Sequence, residues 1–174
     1  MKKIKGRLEK SLGRNELREY LSSKEEASLK SSQLFSIKKK LIDYCEPIKD
    51  PKVLLVSPRI TIPKYMQKRC IPPLGISYIA ASLLKSNIDV DVFDCCVEGW
   101  HIEKESQSGS LITYGLPPAE MLEKIKDKKY DIVGISVLFS TDLPNLYETT
   151  KAIKEKMPNA IIVTGGLHPT IYPK

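Results

Sequence analysis

From residue 51 onward, short β-branched apolar runs alternate with segments of helical periodicity, and this alternation narrows the possible folds more than any other feature. KVLLVSP at 52–58 is continuously apolar between Pro51 and Pro58, the pattern of a strand buried on both faces of a parallel sheet. After a long loop, Ile76, Ile79, Ala80, Leu83 and Leu84 form an apolar stripe at helical spacing, with Asn87 as the stop. Ile88, Val90 and Val92 alternate with Asp89 and Asp91, which predicts a strand near an edge. A loop through Cys95, Trp100 and Gly109 follows. The segment PPAEMLEKIKDKKY then reads as a second helix, with proline in its first turn, Glu120 early, lysines late, and Met121, Leu122 and Ile125 on one side. DIVGISVLF is the most buried-looking strand. NLYETTKAIKEKM stacks Leu146, Thr150, Ile153 and Met157 into a third helix, and NAIIVTGG is a fourth strand. The order βαβαβαβ with right-handed crossovers predicts an α/β, doubly wound parallel sheet, with its ligand site beyond the carboxyl ends of the strands at a topological switch point.

Charge divides the 174 residues differently. Residues 1–50 carry 13 Lys and Arg against 8 Asp and Glu, while the remainder carries 15 against 13, so most of the net charge of +7 lies in the N-terminal segment. There Leu34, Ile37, Leu41, Tyr44 and Cys45, and more weakly Leu17, Tyr20 and Leu21, recur at helical spacing. The expected organisation is a basic helical segment over 1–50 and the α/β domain over 51–174. Mixed charge signs and the lack of aromatics between the lysines disfavour a nucleic-acid surface. No apolar run approaches the roughly 18 residues of a membrane span, and no signal-peptide core follows the charged N-terminus, so the expectation is a cytoplasmic chain. Cys45, Cys70, Cys95 and Cys96 form no CxxC pair, and His101 and His168 stand apart, so no metal site is expected. The sequence stops just after the fourth strand, whereas open sheets of this type usually have five or more. That implies a truncated or excised fragment whose exposed edge is covered by a partner or by further sequence.

The loops narrow the ligand. RITIPKYMQKRCIPP after the first strand contains neither GxGxxG nor GxxxxGK[ST], which disfavours ordinary dinucleotide or ATP binding. A phosphoryl-receiver site needs acidic residues after the first strand and an Asp after the third. The chain has Ser57, Pro58 and Arg59, then Phe139 and Ser140, with Asp142 too far along. Ser136 places a hydroxyl in an apolar strand, where it needs either a backbone carbonyl or a ligand as partner. Gly165 and Gly166 either form a tight turn or let a ligand approach the backbone.

Taken together, KVLLVSPR, PPLGISYIAASLLKSNIDVDVFD, YGLPPAEMLEKIKDKKYDIVGISVLFSTDLPN and IIVTGGLHPT resemble the N-terminal cobalamin-binding domain of cobalamin-dependent radical S-adenosylmethionine enzymes, a Rossmann-like fold, over roughly residues 51–174. In such domains the nucleotide tail of the cofactor threads between strand ends past a Ser-x-Leu and a Gly-Gly element. The resemblance implies Ser136 near the dimethylbenzimidazole, Leu138 against its ring, and Gly165 and Gly166 giving the tail room. Thr141 and the stretch His168, Pro169 and Thr170 border the same channel. The D-x-H-x-x-G loop of the methionine synthase and mutase branch is matched only at Gly75. This implies cobalamin without a protein histidine on cobalt, with Arg59, Lys64, Tyr65, Met66, Lys68 and Arg69 available to the corrin face and its amide and phosphate groups.

The same resemblance implies a parent enzyme that transfers methyl groups from S-adenosylmethionine, or a cyclase, with a four-iron four-sulfur cluster in a radical domain. That cluster needs CxxxCxxC spacing, which Cys45, Cys70, Cys95 and Cys96 do not supply, so this chain is expected to be a binding module that works with a separate radical domain. The alternative is a nucleotide-sugar-binding half-domain of a glycosyltransferase-like protein, in which Gly165 and Gly166 would approach a diphosphate.

Overall fold

The computed structural model describes residues 48–172, and the expected N-terminal helices lie outside them. Four parallel strands form the main sheet: β1 (Lys52–Ser57), β3 (Asp89–Asp94), β6 (Ile132–Ser136) and β7 (Ile161–Gly165), in the spatial order β3-β1-β6-β7. Counting these strands alone in chain order, the arrangement is 2-1-3-4, and the order reverses between β1 and β6. The doubly wound parallel sheet expected from the alternation is therefore present, with β3 at an edge as its one-sided pattern predicts.

Alternation along β1 explains why the fold needs helices on both faces. Leu54 and Val56 are fully buried with Val133, Ile135, Met121, Leu146 and Ile153, on the face covered by α3 (Pro118–Lys124) and α4 (Leu143–Lys156). Val53 and Leu55 point the other way, into a smaller cluster with Ile76 and Ala80 of α1 (Leu74–Lys85). Each such side chain contributes about 1.5–3 kcal/mol by burial, so β1 is the spine of both half-cores.

Three details differ from the sequence reading. Within the α1 stripe, Ile76 and Ala80 are buried, but Ile79 and Leu84 are more than half exposed. The helix contacts β1 and β3, and a cylinder resting on two strands buries only the middle of a broad stripe. In α4 the buried threonine is Thr149, while Thr150 is half-buried. The helix α3 stops at Lys124, because Ile125 leaves helical geometry at φ −111° as the C-cap.

The two segments read as loops also pair with each other. Strands β2 (Ile60–Pro63), β4 (Glu103–Glu105) and β5 (Leu111–Tyr114) form an antiparallel sheet of order β2-β5-β4, and a one-turn helix α2 (Cys95–Glu98) lies between β3 and β4. Because β2 begins three residues after β1 ends, this sheet stands at the carboxyl end of the parallel strands.

Candidate functional site

At the carboxyl ends of β6 and β7, Ser136 is register partner to Gly165, and the Val137 N–H donates to the Gly165 carbonyl at 2.8 Å. The Val137 carbonyl in turn accepts from the His168 N–H at 3.3 Å. The Ser-Val-Leu and Gly-Gly elements are thus held together through the backbone of Val137, itself 1% exposed. On the loop after β6, which ends in a 3-10 turn (Ser140–Asp142), the Ser140 hydroxyl lies 2.9 Å from His168 Nδ1. Thr141 occupies the same turn. His168, Pro169 and Thr170 form α5 (Leu167–Ile171), where Thr170 Oγ1 donates to the Gly166 carbonyl at 2.7 Å.

The two glycines have different reasons to be there. A Cβ on Gly166 would lie 2.4 Å from the Val137 carbonyl oxygen, and the backbone has φ +107°, so this residue serves the close approach of the two loops. A Cβ on Gly165 would meet nothing within 4 Å. Residues at alternate positions share a face, so Ile132, Gly134 and Ser136 lie on the α1 side together with their partners Ile161, Val163 and Gly165. The helix α1 does not reach the outer part of that side. Ile161 and Val163 are each 52% exposed, and Leu138, two residues beyond Ser136, is 55% exposed. Among the described residues this leaves an uncovered apolar strip with a hydroxyl and a bare glycine at its upper end. Ser136 Oγ makes no hydrogen bond among the described residues, so of its two sequence readings the backbone-carbonyl bond is not seen.

Other residues singled out in the sequence lie apart from this cluster. The Arg59 side chain is only 11% exposed and pairs with Glu148 of α4. Its Nε is buried without a partner among the described residues. Gly75 lies in the first turn of α1 with open space around it. In the loop after β1, Lys68 is held by the Trp100 carbonyl at 3.0 Å and by Glu103, with its ammonium 4.5 Å above the Trp100 ring. Tyr65, Met66 and Arg69 are exposed, and Lys64 pairs with Glu105 at 2.8 Å.

Sequence reasoning passed over the clamp that joins this loop to the β6 end. Asp142, 6% exposed, accepts the Thr61 N–H at 2.9 Å. Asn145, 3% exposed, donates from Nδ2 to the Arg59 carbonyl at 3.0 Å and to Thr61 Oγ1 at 2.9 Å, and Thr61 Oγ1 also meets Thr113 Oγ1. Burial pushes the Asp142 carboxyl above its ordinary value, and the Thr61 N–H bond opposes that rise. A polar pair at the start of a helix signals capping, and nothing local reveals a partner some eighty positions away. Burial likewise raises the Cys95 thiol to about 12. Its sulfur faces Met121 Sδ at 3.8 Å in the core.

The fold is that of an α/β domain with a parallel sheet whose α1 side, among the described residues, is left open beside β7. Residues 67–174 match the family model of the B12 binding domain, and the chain belongs to that family. It is 33% identical over 124 residues to the cytidylyl-2-hydroxyethylphosphonate methyltransferase of Streptomyces wedmorensis, an alignment spanning 71% of this chain and 23% of that protein. No solved structure matches. Among the described residues no helix is long and apolar enough to cross a membrane.

Proposed function

We propose that this chain is the cobalamin-binding module of a cobalamin-dependent radical S-adenosylmethionine methyltransferase, with the nucleotide tail of the cofactor lying on the uncovered strip beside α1. The observation that carries the site is the combination at the strand ends: Ser136 Oγ without a hydrogen bond among the described residues, open space over Gly165, and exposed Leu138, Ile161 and Val163 alongside. These residues fit a flat heteroaromatic group with one ring nitrogen. The hydroxyl donates to the nitrogen, Leu138 packs on the ring, and Gly165 lets it lie against the backbone. Thr141 and the His168, Pro169 and Thr170 turn border the tail, while Gly75 and the exposed Tyr65, Met66 and Arg69 of the loop after β1 face the corrin, and Arg59, 11% exposed and paired with Glu148, does not. Bound cobalamin supplies a cobalt centre that accepts and donates a methyl group. This chain's residues orient it and cover its tail.

The family membership favours this reading over a nucleotide-sugar site, and the named activity of the Streptomyces wedmorensis relative favours methyl transfer. On this reading the four-iron four-sulfur cluster and the S-adenosylmethionine site belong to a radical domain that works with this chain in the cytoplasm. Neither histidine of the sequence lies in the loop after β1, which favours a bound cobalamin whose cobalt would take no histidine from that loop. Electron paramagnetic resonance of the chain loaded with cob(II)alamin tests this. The expected spectrum lacks nitrogen splitting of the cobalt lines, and a three-line splitting lost in His168→Ala or His101→Ala would contradict it.

A further inference from the structure

Cys70, at the end of the loop after β1, and Cys96, in α2, lie 26 positions apart in sequence, and the fold sets them side by side. Cys96 Sγ lies 3.8 Å from the carbonyl oxygen of Arg69, the residue bonded to Cys70. The approach is held from both sides. The Tyr114 hydroxyl, on a residue 2% exposed, accepts the Arg69 N–H at 3.3 Å and donates to the Arg69 carbonyl at 3.0 Å. The Asp94 carboxylate receives the Cys96 N–H at 2.9 Å and fixes the start of α2. Next door, Lys68 is tied to the Trp100 carbonyl and Glu103. Cys70 is exposed, whereas Cys96 is 3% exposed.

We propose that Cys70 and Cys96 form a reversible intramolecular disulfide, in which Cys70 meets the oxidant and Cys96 resolves. The oxidant is a low-molecular-weight disulfide. The Cys70 thiolate attacks one of its sulfurs, breaking that S–S bond and releasing the first thiolate. The Cys96 thiolate then attacks the Cys70 sulfur, breaking the mixed disulfide and releasing the second. Two electrons pass to the oxidant, and the two cysteine protons go to the released thiolates. The product ties the loop before α1 to α2. If the cofactor reading above holds, it also locks the loop that faces the corrin.

Exposure decides the order of the two thiols. Burial and the neighbouring Cys70 push the Cys96 thiol up to about 12, so it does not meet oxidants directly, and ring closure accelerates as pH rises. Cys95, packed on Met121 and 1% exposed, is the internal control. The experiment uses the full chain carrying Cys45→Ser, without cobalamin, incubated with glutathione disulfide, alkylated and digested without reductant for peptide mass mapping. The expected result is a peptide pair joined through residues 70 and 96, lighter by two hydrogens, formed faster at higher pH. It is retained in Cys95→Ser and lost in Cys70→Ser, an exposed site whose circular dichroism stays that of the parent. A persistent glutathione adduct on Cys70 with Cys96 still free, a link to Cys95, or no reaction would each overturn the proposal. Because no cofactor is present, failure here leaves the cobalamin reading untouched.

Discussion

At Gly166 a methyl group would sit 2.4 Å from the Val137 carbonyl oxygen, on a backbone at φ +107°. Gly166→Ala is therefore expected to cost about 2–4 kcal/mol, read as a lower urea midpoint. Gly165→Val has open space to fill and should keep the parent's urea midpoint, while cobalamin binding weakens roughly tenfold or more because the side chain takes up the space proposed for the tail. Equal loss of stability in both variants would contradict this division of roles. Ser136→Leu removes the hydroxyl at the same strand end, and reduced cobalamin retention with unchanged circular dichroism is expected. Asp142 gives a pH signature. Burial raises its carboxyl, so its favourable contribution is complete below the unfolded carboxylate range and is lost as pH rises through the raised folded value. Asp142→Asn keeps an acceptor for the Thr61 N–H and removes the charge. The variant should exceed the parent in urea midpoint near pH 7, with the difference shrinking near pH 4. A constant difference would show that the carboxyl does not titrate differently on folding.

Among the elements, the four parallel strands and three long helices were legible because each carries its own period over five or more residues, and the order of those periods dictates the topology. The sheet β2-β5-β4 was not. ITIP sits inside a basic, proline-rich loop, EKE is wholly charged, and their common partner LITY lies some fifty residues from the first, so no local pattern announces the pairing. The positions of Ser136 and Gly165 at the strand ends followed from the strands, while the roles proposed for them came from the family resemblance. The clamp of Asp142 and Asn145 on Thr61 depends on the unread sheet and stayed hidden with it. Asn145→Ala, which removes both donated bonds to the β2 segment, is expected to cost about 1–3 kcal/mol. Amide exchange in β2 and β5 should quicken more than in β1. Uniform acceleration across both sheets would mean that the small sheet is not held chiefly by this clamp.

For the molecule as a whole, the described residues bury β1 on both faces and leave the α1 side of β7 open, with Ile161 and Val163 half exposed at the outer strand. On the proposed reading, this apolar face is the surface the bound cofactor covers. The chain spans 23% of the length of its Streptomyces wedmorensis relative, and on the proposed reading the remaining chemistry belongs to a radical domain. The most direct measurement is the visible spectrum of the chain after incubation with hydroxocobalamin and desalting, with circular dichroism on the same sample. Corrin absorbance near one equivalent per chain, reduced in Ser136→Leu, is the predicted result. A folded chain that retains no corrin would contradict the account.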